Sequence, residues 1–378
     1  MSAPTTHHRV IVGLSGGVDS AVTAHRLLEA GHHVDGLFMF NWQEDEDAYC
    51  TAADDFQDAR RVAETLGIVL HRADFSADYR QRVFDYFLDE YAAGRTPNPD
   101  VLCNREIKFG VFVDYAKRLG ADKVATGHYA RLDAQHRLCK GADGNKDQSY
   151  FLHAVEPAAF EDVLFPLGEL TKDQVRDLAW ARGLPNHARK DSTGICFIGE
   201  RPFAEFLGGF LPARPGPIET DDGQRVGTHQ GLMYYTLGQR QGLGLGGVRG
   251  YDEAPWYVVK KRLESNTLIV GQDHQHSLLM SRALDSEAMH WLARPDATTF
   301  DCAVKTRYRQ ADQAATVRCR DDGTVHIVFQ RAQRAVTPGQ YVVLYHGDLC
   351  LGGAVIAATT PVSDAAEPSA VSVADENH

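Results

Sequence analysis

The chain has 378 residues, with 51 acidic against 39 basic side chains for a formal charge of −12, and is 43% apolar and 24% charged. A chain of this size and composition builds its core without disulfide or metal staples and divides into two or three domains. Its seven cysteines form no CxxC pair and no apolar run approaches a membrane-spanning length, so integral membrane, secreted and collagen-like proteins are not expected. The opening MSAPTTHHRV lacks an apolar signal stretch, and a reducing, cytoplasmic setting is expected. The acidic balance argues against a polyanionic partner, but it is uneven. Residues 41–100 hold 14 acids and 6 bases, whereas residues 301–345 hold 7 bases and 4 acids, which leaves room for a local basic face.

The first 130 residues alternate short apolar runs with segments of helical period, the signal for βαβ units around a parallel sheet. Residues 9–14 (RVIVGL) predict a buried strand, and Ala21, Val22, Ala24, Leu27 and Leu28 a helical stripe closed by Gly31. A second strand follows over 33–40, a helix over 54–66 ending at Gly67, a strand over 68–71 and a long helix over 79–93. Residues 94–104 (GRTPNPDVLCN) break the regularity with two prolines. Helical pattern resumes over 106–119 and a strand over 123–126.

From about Gly199 the texture changes to dense Gly and Pro, and residues 256–271 and 301–357 show short β-branched runs between turn signals, with a hairpin about Asp322-Gly323. This predicts a β-rich carboxyl half made of a small linker domain and a barrel. Residues 361–378 are rich in Ala, Ser, Pro and acids, and a disordered tail is expected.

Gly13, Leu14, Ser15, Gly16, Gly17, Val18, Asp19 and Ser20 stand between the first strand and the first helix, where an α/β sheet binds phosphates. Gly16 and Gly17 let backbone amides approach an anion, and Ser15 and Ser20 add hydroxyl donors. The segment is neither a Walker A loop nor a three-glycine dinucleotide fingerprint. It resembles the pyrophosphate (PP) loop of the ATP pyrophosphatases, which adenylate a substrate oxygen. That resemblance implies ATP, with Asp19 helping to hold Mg²⁺ against the phosphates. Met39, after the second strand, either frames adenine or packs in the core.

Cys103 lies in TPNPDVLCNREIKF and Cys196 in KDSTGICFIG, neither the setting of a routine core cysteine. With GLSGGVDS, ATGHYAR, KDQSYFL, DSTGICFIGER and TLGQRQGLGLGG, these segments match in order the pattern of the bacterial tRNA-specific 2-thiouridylases over about residues 9–250, and KTRYRQ continues it. The resemblance implies an α/β amino-terminal domain with a parallel sheet, adenine nucleotide alpha hydrolase-like, over 1–200. It also implies a central linker domain over 201–282, a β-barrel over 283–360 and the tail over 361–378.

The implied activity is ATP-dependent exchange of oxygen for sulfur at carbon 2 of the wobble uridine in tRNA. In the resemblance Cys196 carries a persulfide received from an upstream sulfur carrier. Cys103 either attacks that persulfide or closes a transient disulfide with Cys196. Asp100 is the matching acid/base residue, and Asn98, Pro99 and Asp100 shape the target-base pocket. Lys190 and Arg105 are cations near the two cysteines in sequence. Gly127 is expected at the ATP, and His128, Lys146, Asp147, Gln148, Arg307, Tyr308 and Gln340 at the tRNA.

Cys50, Cys139, Cys302, Cys319 and Cys350 read as small buried or incidental residues, and the 17 histidines show no HxxxH or HExxH spacing, so no structural zinc is expected. Three cysteines converging on an iron–sulfur cluster stay open. A monomer gripping one tRNA is the expected assembly. Two other readings remain: an ATP pyrophosphatase ligase that uses ammonia or an amine and needs no cysteine pair, and a non-catalytic tRNA- or nucleotide-binding module.

Overall fold

The computed structural model describes residues 7–42, 51–190, 203–246, 248 and 250–362. The amino-terminal sheet contains β1 (Arg9–Gly13), β2 (His33–Phe40), β3 (Leu70–Asp74) and β4 (Lys123–Ala125), with a short fifth strand at Val163–Leu164. Every pairing is parallel, in the order β3-β2-β1-β4 and then Val163–Leu164. Val10, Ile11 and Val12 have no exposed surface, as expected of a strand covered on both faces. Chain order reverses between β1 and β4, so their carboxyl ends flank the crevice where such sheets bind ligands. Helices α1 (Val18–Glu29) and α2 (Thr51–Leu66) cover one face, over a core of Leu14, Val22, Phe38, Val62 and Leu167.

One element departs from expectation. Helical structure begins at Pro99, not at Glu106: an α-turn Pro99–Leu102 leads into a π-helix Cys103–Val111 and an α-helix Phe112–Arg118. In the sequence Pro99 looks like a breaker, but at the first helical position its missing N–H and fixed φ cost nothing. Asn98 caps the turn, its Oδ1 accepting from the Asp100 amide at 3.1 Å. Cys103 thus lies within a helix that spans the whole segment, at the start of its π-helical stretch.

The central region forms a four-stranded sheet in the order Tyr257–Arg262, Thr267–Gly271, Gly216–Thr220, Arg225–His229. Beyond it a closed circuit runs through Met280–Ser286, Val325–Arg334, Gln313–Cys319, Thr299–Lys305, Tyr341–His346 and Leu349–Pro361, which pairs back with Met280–Ser286. Leu284, Val304, Val317, Ile327, Val342 and Leu344 fill this barrel, and closure gives each of the six strands a partner on both sides.

The barrel is fused to the first domain. A hairpin of Ala130–Leu132 and Leu138–Lys140 joins its sheet through Cys139 and Leu349. Tyr341, Val343, Tyr345 and Cys350, on other barrel positions, belong to the same core as Phe84, Phe87, Phe109 and Cys103. Among the described residues no helix is long and apolar enough to cross a membrane.

Candidate functional site

The loop Gly13–Ser20 sits at the β1/β4 crevice. Ser20 Oγ donates to the Gly17 carbonyl at 2.9 Å and accepts from the Ser15 amide at 3.2 Å, which closes the loop on itself. Gly17 is the N-cap of α1 and offers no side chain, so the first-turn amides have no side-chain acceptor and face an incoming anion. Gly16 requires its φ of +80°, and a Cβ there would come within 2.4 Å of the Asp55 carbonyl on α2. Behind the loop, Asn186 Nδ2 donates to the Gly16 carbonyl at 2.7 Å, and Arg189 pairs with Asp55 and Asp58.

Gly127, at the end of β4, lies against this loop: a Cβ on it would stand 3.0–3.1 Å from Asp19 and the Ser20 amide. Met39 reaches the same end of the sheet, its Cε 3.5 Å from where a Gly13 Cβ would stand. The structure therefore brings together the loop, Met39 and Gly127. These open amides and glycine cradles fit a nucleotide polyphosphate. For a metal the fit is poorer: among the described residues no group of three or more His, Cys, Asp or Glu is able to hold one.

Asp19 carries the residues that the sequence reading missed. Lys172 Nζ donates to both of its carboxylate oxygens, at 2.7 and 2.9 Å, and the Tyr129 hydroxyl donates to Oδ1 at 2.7 Å. Lys172 is the first residue of the helix Lys172–Ala181, which Thr171 and Gln174 close in a capping box. A cation in a first helical turn opposes the helix dipole, and that placement was the one available signal of a partner elsewhere.

His128 follows Gly127 into the interior. It is 7% exposed, its ring contacts Phe109 and Phe165, and Nδ1 is 2.8 Å from Thr126 Oγ1. Burial, with Lys108 nearby, pushes its pKa well below the usual histidine value, so the ring is neutral. That leaves little of it to offer RNA.

Cys103 has no exposed surface and is a free thiol within the aromatic core. This differs from the expectation of an exceptional setting for it, because the side chain turns inward from its helix. Arg105, next in chain but one, is exposed and paired with Glu106 at 2.8 Å. Asn104 is buried, its Nδ2 donating to the Phe151 carbonyl at 3.2 Å. Cys196 and Cys50 lie outside the described residues, as does the segment after the exposed Lys190. Of the other cysteines, burial pushes the Cys302 and Cys350 thiols up to about 12 and also raises Cys139 and Cys319.

The expected RNA contacts converge where the barrel meets the first domain. Asp147 is buried, accepts from the Gly141 and Ser149 amides at 3.0 and 3.1 Å, and faces Lys305 at 3.4 Å. Gln148 Oε1 accepts from the Tyr129 amide, and Lys146 is half-buried beside it. Tyr308 packs on Phe151 with centroids 4.4 Å apart, Arg309 lies over the Tyr308 ring, and Arg307 donates to the Ala335 carbonyl. Gln340 Nε2 donates to the carbonyls of Thr96 and Pro97 at 2.7 and 3.3 Å, just before Asn98.

Three family profiles match consecutive stretches: a tRNA methyl transferase HUP domain over residues 8–200, a tRNA methyl transferase PRC-barrel domain over 204–272 and an aminomethyltransferase beta-barrel domain over 281–356. The chain is 58% identical over 360 residues to the tRNA-specific 2-thiouridylase MnmA of Chromohalobacter salexigens, covering 94% of each chain. Identity to the protein of the same name from Hahella chejuensis is 56%, over 93% of this chain and 98% of the relative. A slighter likeness, at 20% identity and a TM-score of 0.32, covers 53% of this chain and 71% of the NMN synthetase from Francisella tularensis. With identity of this order sustained through all three domains, the chain belongs to the tRNA-specific 2-thiouridylases.

Proposed function

We propose that this chain replaces the C2 oxygen of the wobble uridine of tRNA with sulfur, using ATP and releasing AMP and pyrophosphate. The observation that carries the reading is that one helical run joins the Asp100–Cys103 segment to the nucleotide-loop end of the sheet. Its amino end holds Asp100 and Cys103, and its Phe109 and Phe112 pack against His128 and the Gly13 end of β1.

A pyrimidine C2 oxygen is a poor leaving group, and adenylation converts it to AMP. The loop Gly13–Ser20, Met39 and Gly127 hold the ATP. Asp19 is the carboxylate that would help hold Mg²⁺ carried on the triphosphate, an ion that would neutralise phosphate charge there. Asn98, Pro99 and Asp100 form the wall that receives the extruded uridine, and Asp100 serves as acid/base. Sulfur arrives as a persulfide on Cys196, supplied by a carrier protein. Cys103 then cleaves the persulfide or closes a disulfide with Cys196. Because Cys103 is buried, its reaction requires the cover over it to open when RNA engages. Lys146, Gln148, Arg307, Tyr308 and Gln340, each half-buried, make up the RNA-facing side, while Asp147 and His128 are buried and hold neighbouring residues in place. The enzyme acts as a monomer in the cytoplasm.

The test is nucleoside mass spectrometry of unmodified tRNA incubated with the protein, Mg-ATP and a persulfide source, beside Cys103→Ala and Cys196→Ala. Wild type should form 2-thiouridine and AMP, and neither variant should form 2-thiouridine. Thiolation by either variant would reject the sulfur chemistry, and absence of AMP from wild type would reject the reading as a whole.

A further inference from the structure

We propose that Lys172 is a phosphate-contacting residue of the nucleotide site, held by Asp19 when the site is empty and shared with the polyphosphate when ATP is seated. The proposal rests on the nucleotide reading of the loop and adds a residue to it.

The local sequence gives no helical reason for a lysine at this position. Lys172 stands in the first turn of its own helix, where the dipole disfavours a cation, yet its side chain is drawn inward to 10% exposure to reach the nucleotide loop. Burying an ammonium is costly unless it is paired, and here both carboxylate oxygens of Asp19 hold it. Asp19 has a second donor in the Tyr129 hydroxyl, so the lysine is not the sole anchor of that carboxylate. The Asp19 side chain is 33% exposed, so the pair opens toward the mouth of the loop.

Electrostatics supply the rest of the argument. Asp19 places a negative charge in the first turn of α1, where the open amides would receive phosphate. Uncompensated, it would repel the triphosphate. Arg189, also at this loop, is committed to Asp55 and Asp58 on α2. Lys172 therefore makes the Asp19 side of the loop neutral before ATP arrives and offers an ammonium to its oxygens afterwards. In the adenylation step the uridine O2–Pα bond forms and the bond from Pα to the bridging oxygen breaks. The electron pair leaves on pyrophosphate, and the uridine N3 proton passes to a base, for which Asp100 is the proposed group. Lys172 stays protonated throughout and faces the charge that grows on pyrophosphate.

The experiment is calorimetric titration of the full-length protein with inorganic pyrophosphate and, separately, AMP, both in EDTA so that no metal contributes. Lys172→Met should bind pyrophosphate at least 10-fold more weakly and AMP within twofold of wild type. Because Lys172→Met strands a carboxylate and is at risk of misfolding, a second pair carries the same test. Asp19→Asn, which removes the carboxylate charge that holds the lysine here, should bind pyrophosphate at least as tightly as wild type, and Asp19→Asn with Lys172→Met should lose that binding. Equal pyrophosphate affinity with and without the lysine in either pair would overturn the proposal and make Lys172 a counterion only. These outcomes are independent of the acceptor: failure of wild type to thiolate tRNA would reject the proposed function and leave the pyrophosphate comparison standing.

Discussion

The nucleotide loop and the Cys103 segment share a domain but are assembled differently. The loop is contiguous: eight successive residues close on themselves through Ser15, Gly17 and Ser20, and the helix amides they expose belong to the next element in the chain. The Cys103 region is made from distant pieces. Phe151 holds Asn104, the barrel contributes Tyr341 and Tyr345 to its core, and Gln340 reaches across to Thr96 and Pro97. Open amides at a sheet edge need no partner domain, whereas the shape of the Cys103 region, where the extruded base is proposed to bind, depends on how the barrel is seated. Perturbing the barrel contact should therefore disturb RNA and sulfur chemistry while ATP binding survives.

The largest effect is expected at Asp147. Its buried carboxylate accepts from two amides and the Ser149 hydroxyl and faces Lys305, itself nearly buried. Asp147→Ala leaves an interior lysine without this partner and frees two amides, which should cost about 3–5 kcal/mol. Urea unfolding reads this directly. If stability is unchanged and tRNA affinity falls, Asp147 is an RNA ligand instead of a clamp between the domains.

Next comes a pH dependence from His153, which lies between Tyr150 and Tyr341. The Nδ1–H donates to the Tyr150 carbonyl at 2.7 Å, Nε2 is buried without a partner, and burial pushes the pKa from 6.5 down to about 4. The unfolded chain therefore binds a proton between these values that the folded chain does not. Stability is fully present above about 6.5 and falls toward about 4, by at most about 3 kcal/mol. His128 is depressed in the same direction and adds to the slope. His153→Gln should flatten the dependence of the urea midpoint between pH 7 and pH 5. An unchanged slope would mean that His153 does not titrate with unfolding.

The sequence made the parallel sheet, the loop at its edge and the β-rich carboxyl half legible, because each depends on local periodicity or a single turn. Lys172 was not legible as part of the site, since its partner Asp19 is remote in sequence and its own neighbours spell only a capping box. The Pro99 helix start was misread because proline breaks a helix interior but begins a helix well. The burial of His128 and Asp147 was not legible either. A polar residue beside a glycine turn reads as exposed until the element that covers it is known, and the covers here are Phe109, Phe165 and the barrel strand bearing Lys305.

The smallest effect, at Gln340, probes the comparison most directly. The turn before it approaches the Cys103 segment closely: Gly339 has φ +90°, and a Cβ there would come within 2.9 Å of the Thr96 amide. The central domain grips the same stretch, with Lys261 donating to the Gly94 carbonyl at 3.2 Å and Thr236 Oγ1 3.3 Å from Thr96 Oγ1. Residues 94–97 are thus held by both other domains immediately before the Asn98 cap and Asp100. Gln340→Ala removes two hydrogen bonds from this clamp and should cost about 1 kcal/mol of stability, most groups at this partly buried site finding water instead. Its kinetic effect should be one-sided, with KM for tRNA rising several-fold and the Kd for ATP unchanged, because the loop Gly13–Ser20 has no bond to this segment among those described. Equal losses in both parameters would show that seating the barrel also sets the nucleotide loop, and the two regions would then have to be treated as one site.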